Sequence, residues 1–246
     1  MALAGVAVAT DVGYTKHPDY DDYTFTGNPT ADPITLSSVG AAWSSTNGSI
    51  YWGGTNSSIN LTVDNDYAAY RITTASGATV NSLTLNFDGK YTLTSAGEKF
   101  GFSNVSNLTI NFGDGGKISS NVIDLGSDDL NLNFTTTTDV SSLAVGLYAR
   151  DLFVASNTIY YSDNYLKNTE GHGTVSFSDS TLDAAGYTYK GFINADNTAS
   201  LAAGEYALAL VGTQKYQLVA NIIPEPTTAT LSLLALAGLA ARRRRK

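Results

Sequence analysis

The sequence predicts an all-β fold whose central part is a parallel β-solenoid. Four five-residue blocks alternate apolar and polar side chains with the two-residue period of a half-buried strand: Ile59 to Val63, Leu83 to Phe87, Leu108 to Phe112 and Leu130 to Phe134. Their first residues lie 24, 25 and 22 positions apart. Turn residues separate them, at Asp88-Gly89, Ala96-Gly97 and Gly113 to Gly116. A strand and turn repeated in tandem at this period marks a stack of coils, because one unit cannot bury its apolar face alone. Ser, Thr, Asn, Gly and Tyr are plentiful while Glu and Lys are few, which disfavours long helices and favours strands joined by tight turns. Asp-Gly turns also suit antiparallel hairpins, so an antiparallel β-sandwich is the alternative.

Residues 1–9 read MALAGVAVA. Ala7-Val8-Ala9 is a small-x-small pattern of the kind a signal peptidase cuts, with Thr10 as the new N-terminus. No basic region precedes it and the apolar run is short. The expectation is a remnant of a signal peptide whose start lies outside the sequence; the alternative is an ordinary apolar first strand. Residues 10–57 are expected to form an irregular N-terminal arm and cap, since Pro18, Asp21-Asp22, Pro29 and Pro33 break regularity. This stretch holds both tryptophans, Trp43 and Trp52. They could serve as a sugar-stacking platform, but a buried cap over a sheet end is the favoured use of such side chains.

Residues 58–143 are the expected solenoid. Weaker strands between the main blocks are Tyr70 to Thr73, Tyr91 to Thr94 and Lys117 to Ser120, with a third set at Phe100 to Phe102 and Val122 to Leu125. This pattern resembles the right-handed parallel β-helix of surface autotransporter passengers. Leu85, Ile110 and Leu132, the central apolar residues of matched blocks, should stack inside, with Asn86, Asn111 and Asn133 together on the outer face. Residues 144–222 carry further strand candidates at Leu152 to Val154, Ile159 to Tyr161, Thr174 to Phe177 and Tyr187 to Tyr189. They end in a β-hairpin cap, Glu205 to Val211 with Tyr216 to Ile222, closing a solenoid end that would otherwise invite pairing with other chains.

Residues 223–246 hold three parts in sequence. Pro224-Glu225-Pro226 is a rigid break, Thr227 to Ala241 an uncharged run rich in Leu and Ala, and Arg242, Arg243, Arg244, Arg245 and Lys246 a basic block. The run is apolar on several faces, which suits a single transmembrane helix, short but extended by snorkelling arginines. The basic block marks the cytoplasmic end, so the body would lie outside the inner membrane. This order resembles the PEP-CTERM sorting domain of exported bacterial proteins. The resemblance implies an exosortase-type membrane protease as partner and cutting near Pro224, Glu225 and Pro226. It further implies a transient inner-membrane anchor through residues 227–241, then transfer to the cell surface or extracellular matrix, where exopolysaccharide is a further partner.

Charge and residue inventory narrow the function. Residues before the basic block carry nine Lys and Arg against 22 Asp and Glu, about −13 in net charge, which excludes a nucleic-acid partner. There is no Cys, so an exported body has no disulfide staples. His17 and His172 both fall in turn-rich segments, too few for a zinc site and without a nucleophile pattern. The acids Asp21-Asp22, Asp64 and Asp66, and Asp128-Asp129 admit structural calcium, but none forms an EF-hand, and Gly113-Asp114-Gly115-Gly116 is not the calcium-binding nonapeptide. Arg71 and Arg150, the only arginines before the tail, have no motif around them. No catalytic residue, metal site or cofactor is therefore assigned. The expectation is a non-enzymatic structural or adhesive surface protein; the alternative is a carbohydrate-binding or carbohydrate-active one.

Overall fold

The computed structural model describes residues 13–27, 33–41, 43, 48–93, 99–101, 104–125, 127–135, 142–143, 146–160, 175–211 and 215–223. Residues 1–9, expected as a signal-peptide remnant, and residues from Pro224 onward, expected as a sorting tail, lie outside them. In chain order the strands are β1 (Tyr14–Lys16), β2 (Asp21–Phe25), β3 (Ile34–Thr35), β4 (Gly48–Trp52), β5 (Thr55–Val63), β6 (Tyr67–Ala69), β7 (Arg71–Thr74), β8 (Thr79–Phe87), β9 (Lys90–Leu93), β10 (Lys99–Gly101), β11 (Val105–Phe112), β12 (Lys117–Asp124), β13 (Ser127–Phe134), β14 (Gly146–Tyr160), β15 (Val175–Asp179), β16 (Thr188–Asn194), β17 (Glu205–Leu210) and β18 (Lys215–Ile222). Among the described residues no helix is long and apolar enough to cross a membrane.

The four blocks stack in parallel. One sheet runs β3-β5-β8-β11-β13-β15, and every neighbouring pair is parallel. The second sheet runs β1-β2-β4-β7-β10-β12-β14-β18-β17-β16, with β6 and β9 forming a side ladder onto β12. Parallel neighbours reached after a full turn of chain are the arrangement of a β-solenoid, and they set aside the antiparallel sandwich.

Register follows the period-two alternation, because a one-residue slip would turn every apolar side chain outward. Leu61, Leu85, Ile110 and Leu132 align in one interior column, all fully buried. Ile50, Ile72, Phe100 and Ile123 form a second, and Tyr67, Tyr91, Ile118 and Phe153 a third. These columns merge into one core running through the stack. The outer face carries an amide ladder: Asn86 Nδ2 donates to Asn60 Oδ1 at 3.0 Å, Asn111 to Asn86 at 2.7 Å and Asn133 to Asn111 at 2.9 Å. Each amide is donor and acceptor at once, so identical residues on successive coils satisfy one another.

The parallel ladder extends beyond residues 58–143 at both ends. β2 pairs with β4 and β4 with β7, so part of the expected irregular arm already forms coils. Tyr23 and Phe25 align with Ile50 and Trp52, which supplies the apolar alternation that a repeat search misses in such short strands. At the other end β14 and β15 continue the two parallel ladders. The hairpin of β17 and β18 is present, and β18 turns antiparallel onto β14. β16 then adds to β17 in parallel.

The Tyr91 hydroxyl is buried and finds no hydrogen-bond partner among the described residues. Burial alone pushes its pKa far up. A buried hydroxyl without a partner costs free energy, so Tyr91→Phe is expected to stabilise the fold by about 1 kcal/mol. Urea denaturation checks this; a midpoint lower than wild type would show that the hydroxyl is satisfied.

Candidate functional site

The described residues hold a chemically mixed pocket, of about 500 Å³, at the corner where the turn after β3 meets the turn between β5 and β6. Ser37, Gly40, Trp43, Asn65, Asp66 and Tyr67 line it. The turn Leu36–Gly40 is closed by the Gly40 N–H on Ser37 O at 3.0 Å and the Ala41 N–H on Leu36 O at 3.0 Å. Gly40 takes φ +80°, the left-handed conformation that glycine adopts without steric cost.

Asp64 ties the two turns together. It accepts the Ser37 N–H at 3.2 Å, the Ser37 hydroxyl, and the Tyr67 hydroxyl at 3.0 Å. Burial works to raise its pKa, but these donors outweigh it and hold the carboxyl below its usual range. Tyr67 shifts the other way: burial first, then the neighbouring Asp64 charge, push its phenol up. Asp66 accepts the Lys90 N–H at 2.8 Å through Oδ1.

Both tryptophans point inward. Trp52 is 0 % exposed and Trp43 6 % exposed. The Trp52 indole N–H donates to Gly101 O at 3.3 Å, and that of Trp43 to Asp21 O at 3.1 Å. The Trp43 ring lies so close to the backbone of Gly48 that a Cβ there would fall inside the indole. It meets Tyr23 and Tyr67 edge-on, at centroid distances of 5.5 and 6.0 Å. The pair therefore forms no exposed platform, and Trp43 lines the corner pocket.

The remaining candidates are scattered. Asp21 pairs with exposed Lys16 at 3.1 Å. His17 accepts the Asp19 N–H and its ring lies tilted against that of Tyr20 on the surface. His172, Pro224, Glu225, Pro226 and Arg242, Arg243, Arg244, Arg245 and Lys246 lie outside the described residues. Among the described residues no group of three or more His, Cys, Asp or Glu could hold a metal ion.

Two charged residues gain roles that sequence inspection does not show. Arg150 is nine-tenths buried, with its guanidinium donating to Thr135 O and, at 3.3 Å, to Phe112 O. Burial lowers its pKa, against the pull of Tyr148, Asp179 and Asp114. Asp151 accepts Gln217 Nε2 at 2.6 Å, Lys215 at 2.9 Å and Lys117 at 3.2 Å, joining β12, β14 and β18. Burial acts to raise its pKa, and these three partners together bring it below the carboxylate range. Both residues are staples where the parallel ladder becomes antiparallel, and neither lines the pocket. No protein-family model, curated protein or solved structure matches the chain, so its functional interpretation rests on its own residues.

Proposed function

We propose that this chain is an exported, non-catalytic protein of the cell surface or extracellular matrix, structural or adhesive in role. A C-terminal PEP-CTERM signal sorts it, cut by an exosortase-type membrane protease near Pro224, Glu225 and Pro226. Residues 227–241 anchor it in the inner membrane before cutting, and the block Arg242 to Lys246 keeps its end cytoplasmic.

The observation that carries this proposal is the junction of body and tail. β18 is paired with β14 as far as Ile222 and with β17 as far as Ala220. The Ile223 N–H donates to the Tyr187 hydroxyl at 2.9 Å, and its side chain presses on Gly204. The last strand is therefore complete before Pro224. A body whose last strand ends at Ile222 suits a detachable signal that begins at Pro224.

Deleting Pro224 to Lys246 should move the body from the cell-surface fraction to the culture medium, with its folding unchanged. Fractionation of cells expressing both forms measures this. Equal retention of the truncated and full-length chains would sink the sorting function.

A further inference from the structure

We propose that the corner pocket binds one neutral sugar unit of a surface polysaccharide. This names a ligand class for the adhesive role and rests on that role, but not on the sorting tail.

The pocket's size falls within the range of small-ligand sites. Its floor is the buried aromatic pair Trp43 and Tyr67, and its rim is Ser37, Asn65 and Asp66, all exposed. A sugar ring has an apolar C–H face and a hydroxyl edge, and such a floor and rim match the two. The polar groups are fixed before any ligand arrives. Tyr67 is held by Asp64, Trp43 by the Asp21 carbonyl, and Asp66 by the Lys90 N–H. Preorganised groups lose little freedom on binding.

The chemistry of the rim selects among ligands. Both oxygens of Asp64 already accept hydrogen bonds from the protein, so Asp64 has little left to give a cation. Asp66 uses Oδ1 for Lys90, and its second oxygen remains an acceptor for a ligand hydroxyl. Two carboxylates at the corner of an acidic chain repel an anionic sugar. The ligand that fits donates hydrogen bonds and carries no charge. An unmodified hexose does this, and a uronic acid does not.

Isothermal titration of the purified full chain in mild detergent tests the proposal. The probes are cello-, malto- and manno-oligosaccharides, with oligogalacturonate as the acidic counterpart. At least one neutral probe should bind saturably. Asp66→Asn, which keeps the shape and the Lys90 contact, should weaken it about tenfold through loss of a charged acceptor. Asn65→Trp, placed at an exposed position, should abolish it by filling the mouth. Absence of binding by all three neutral probes would overturn the proposal. So would unchanged affinity in Asp66→Asn and Asn65→Trp, or tighter binding of oligogalacturonate. A urea midpoint for each variant separates lost binding from lost folding. Sorting is read separately by cell fractionation, so a null titration leaves the address of the protein untouched.

Discussion

Phe112→Ala is expected to destabilise the fold by about 4 kcal/mol, a large share of the stability of a typical domain. Phe112 is fully buried in the column Val63, Phe87, Phe112 and Phe134. Its ring lies 5.9 Å from those of Phe87 and Phe134, and meets Phe153 edge-on at 5.2 Å. It thus touches a ring on the coil before, a ring on the coil after, and a ring across the core. Truncation removes the transfer free energy of a benzyl group and leaves a cavity that neighbouring β-strands, held by their ladders, cannot close. In a stack of coils each unit is stabilised by its neighbours, so a hole in the middle weakens two interfaces at once. Leu147→Ala, at a side chain 52 % exposed, should cost less than about 0.5 kcal/mol. Urea denaturation of the two variants beside wild type measures the difference. A cost below about 1 kcal/mol for Phe112→Ala would mean that the column is not a continuous core.

The central coils were legible because two independent signals coincide. Alternation set which face of each block turns inward, and the spacing of the blocks set which residues become neighbours. The spacing places Asn111 above Asn86, and the two are hydrogen-bonded at 2.7 Å. The first coil was not legible, because Asp21–Phe25 and Gly48–Trp52 are five-residue strands without the block motif. Over β14 the sequence offers two short candidates, Leu152 to Val154 and Ile159 to Tyr161, because the polar run Ser156-Asn157-Thr158 separates them and the charged pair Arg150-Asp151 precedes the first. Charge in a strand argues for exposure unless partners are known, and those partners come from residues 112, 117, 135, 215 and 217.

The end of the phenylalanine column shows the same limit. Asp179 stands in register with Phe134, fully buried, where another apolar residue would continue the stack. It caps the short helix Ser180–Ala184 instead, accepting the N–H groups of Thr181 and Leu182 at 3.0 and 2.8 Å. An aspartate before Ser-Thr-Leu is an N-cap signal, but a search for strands passes over it. The pocket was least visible of all. Ser37 and Asp64 belong to turns of adjacent coils and Tyr67 opens β6, and only the stacking of coils brings Ser37 to the other two.

Gly116→Ala is expected to cost roughly 3 kcal/mol, for a reason different from that of most turn glycines. Its φ lies outside the left-handed region, so an alanine could adopt the local conformation without strain. The obstacle is the coil below. A Cβ at Gly116 would land on the carbonyl oxygen of Phe87 and sit 3.1 Å from that of Gly113. Both obstacles are backbone, and the Phe87 carbonyl is engaged by the Gly113 N–H at 2.8 Å, so neither can swing aside as a side chain would. Relief requires adjacent coils to separate at that corner, which strains the ladder between β8 and β11. Gly77 provides the contrast. It takes φ +73° in the turn closed by the Ala78 N–H on Ala75 O, and a Cβ there meets nothing within 4 Å. Gly77→Ala therefore pays only for the left-handed backbone, about 1 kcal/mol. Gly116→Ala should unfold at clearly lower urea than Gly77→Ala. Equal midpoints, or the reverse order, would show that backbone conformation and not the close stacking of coils demands glycine at this turn.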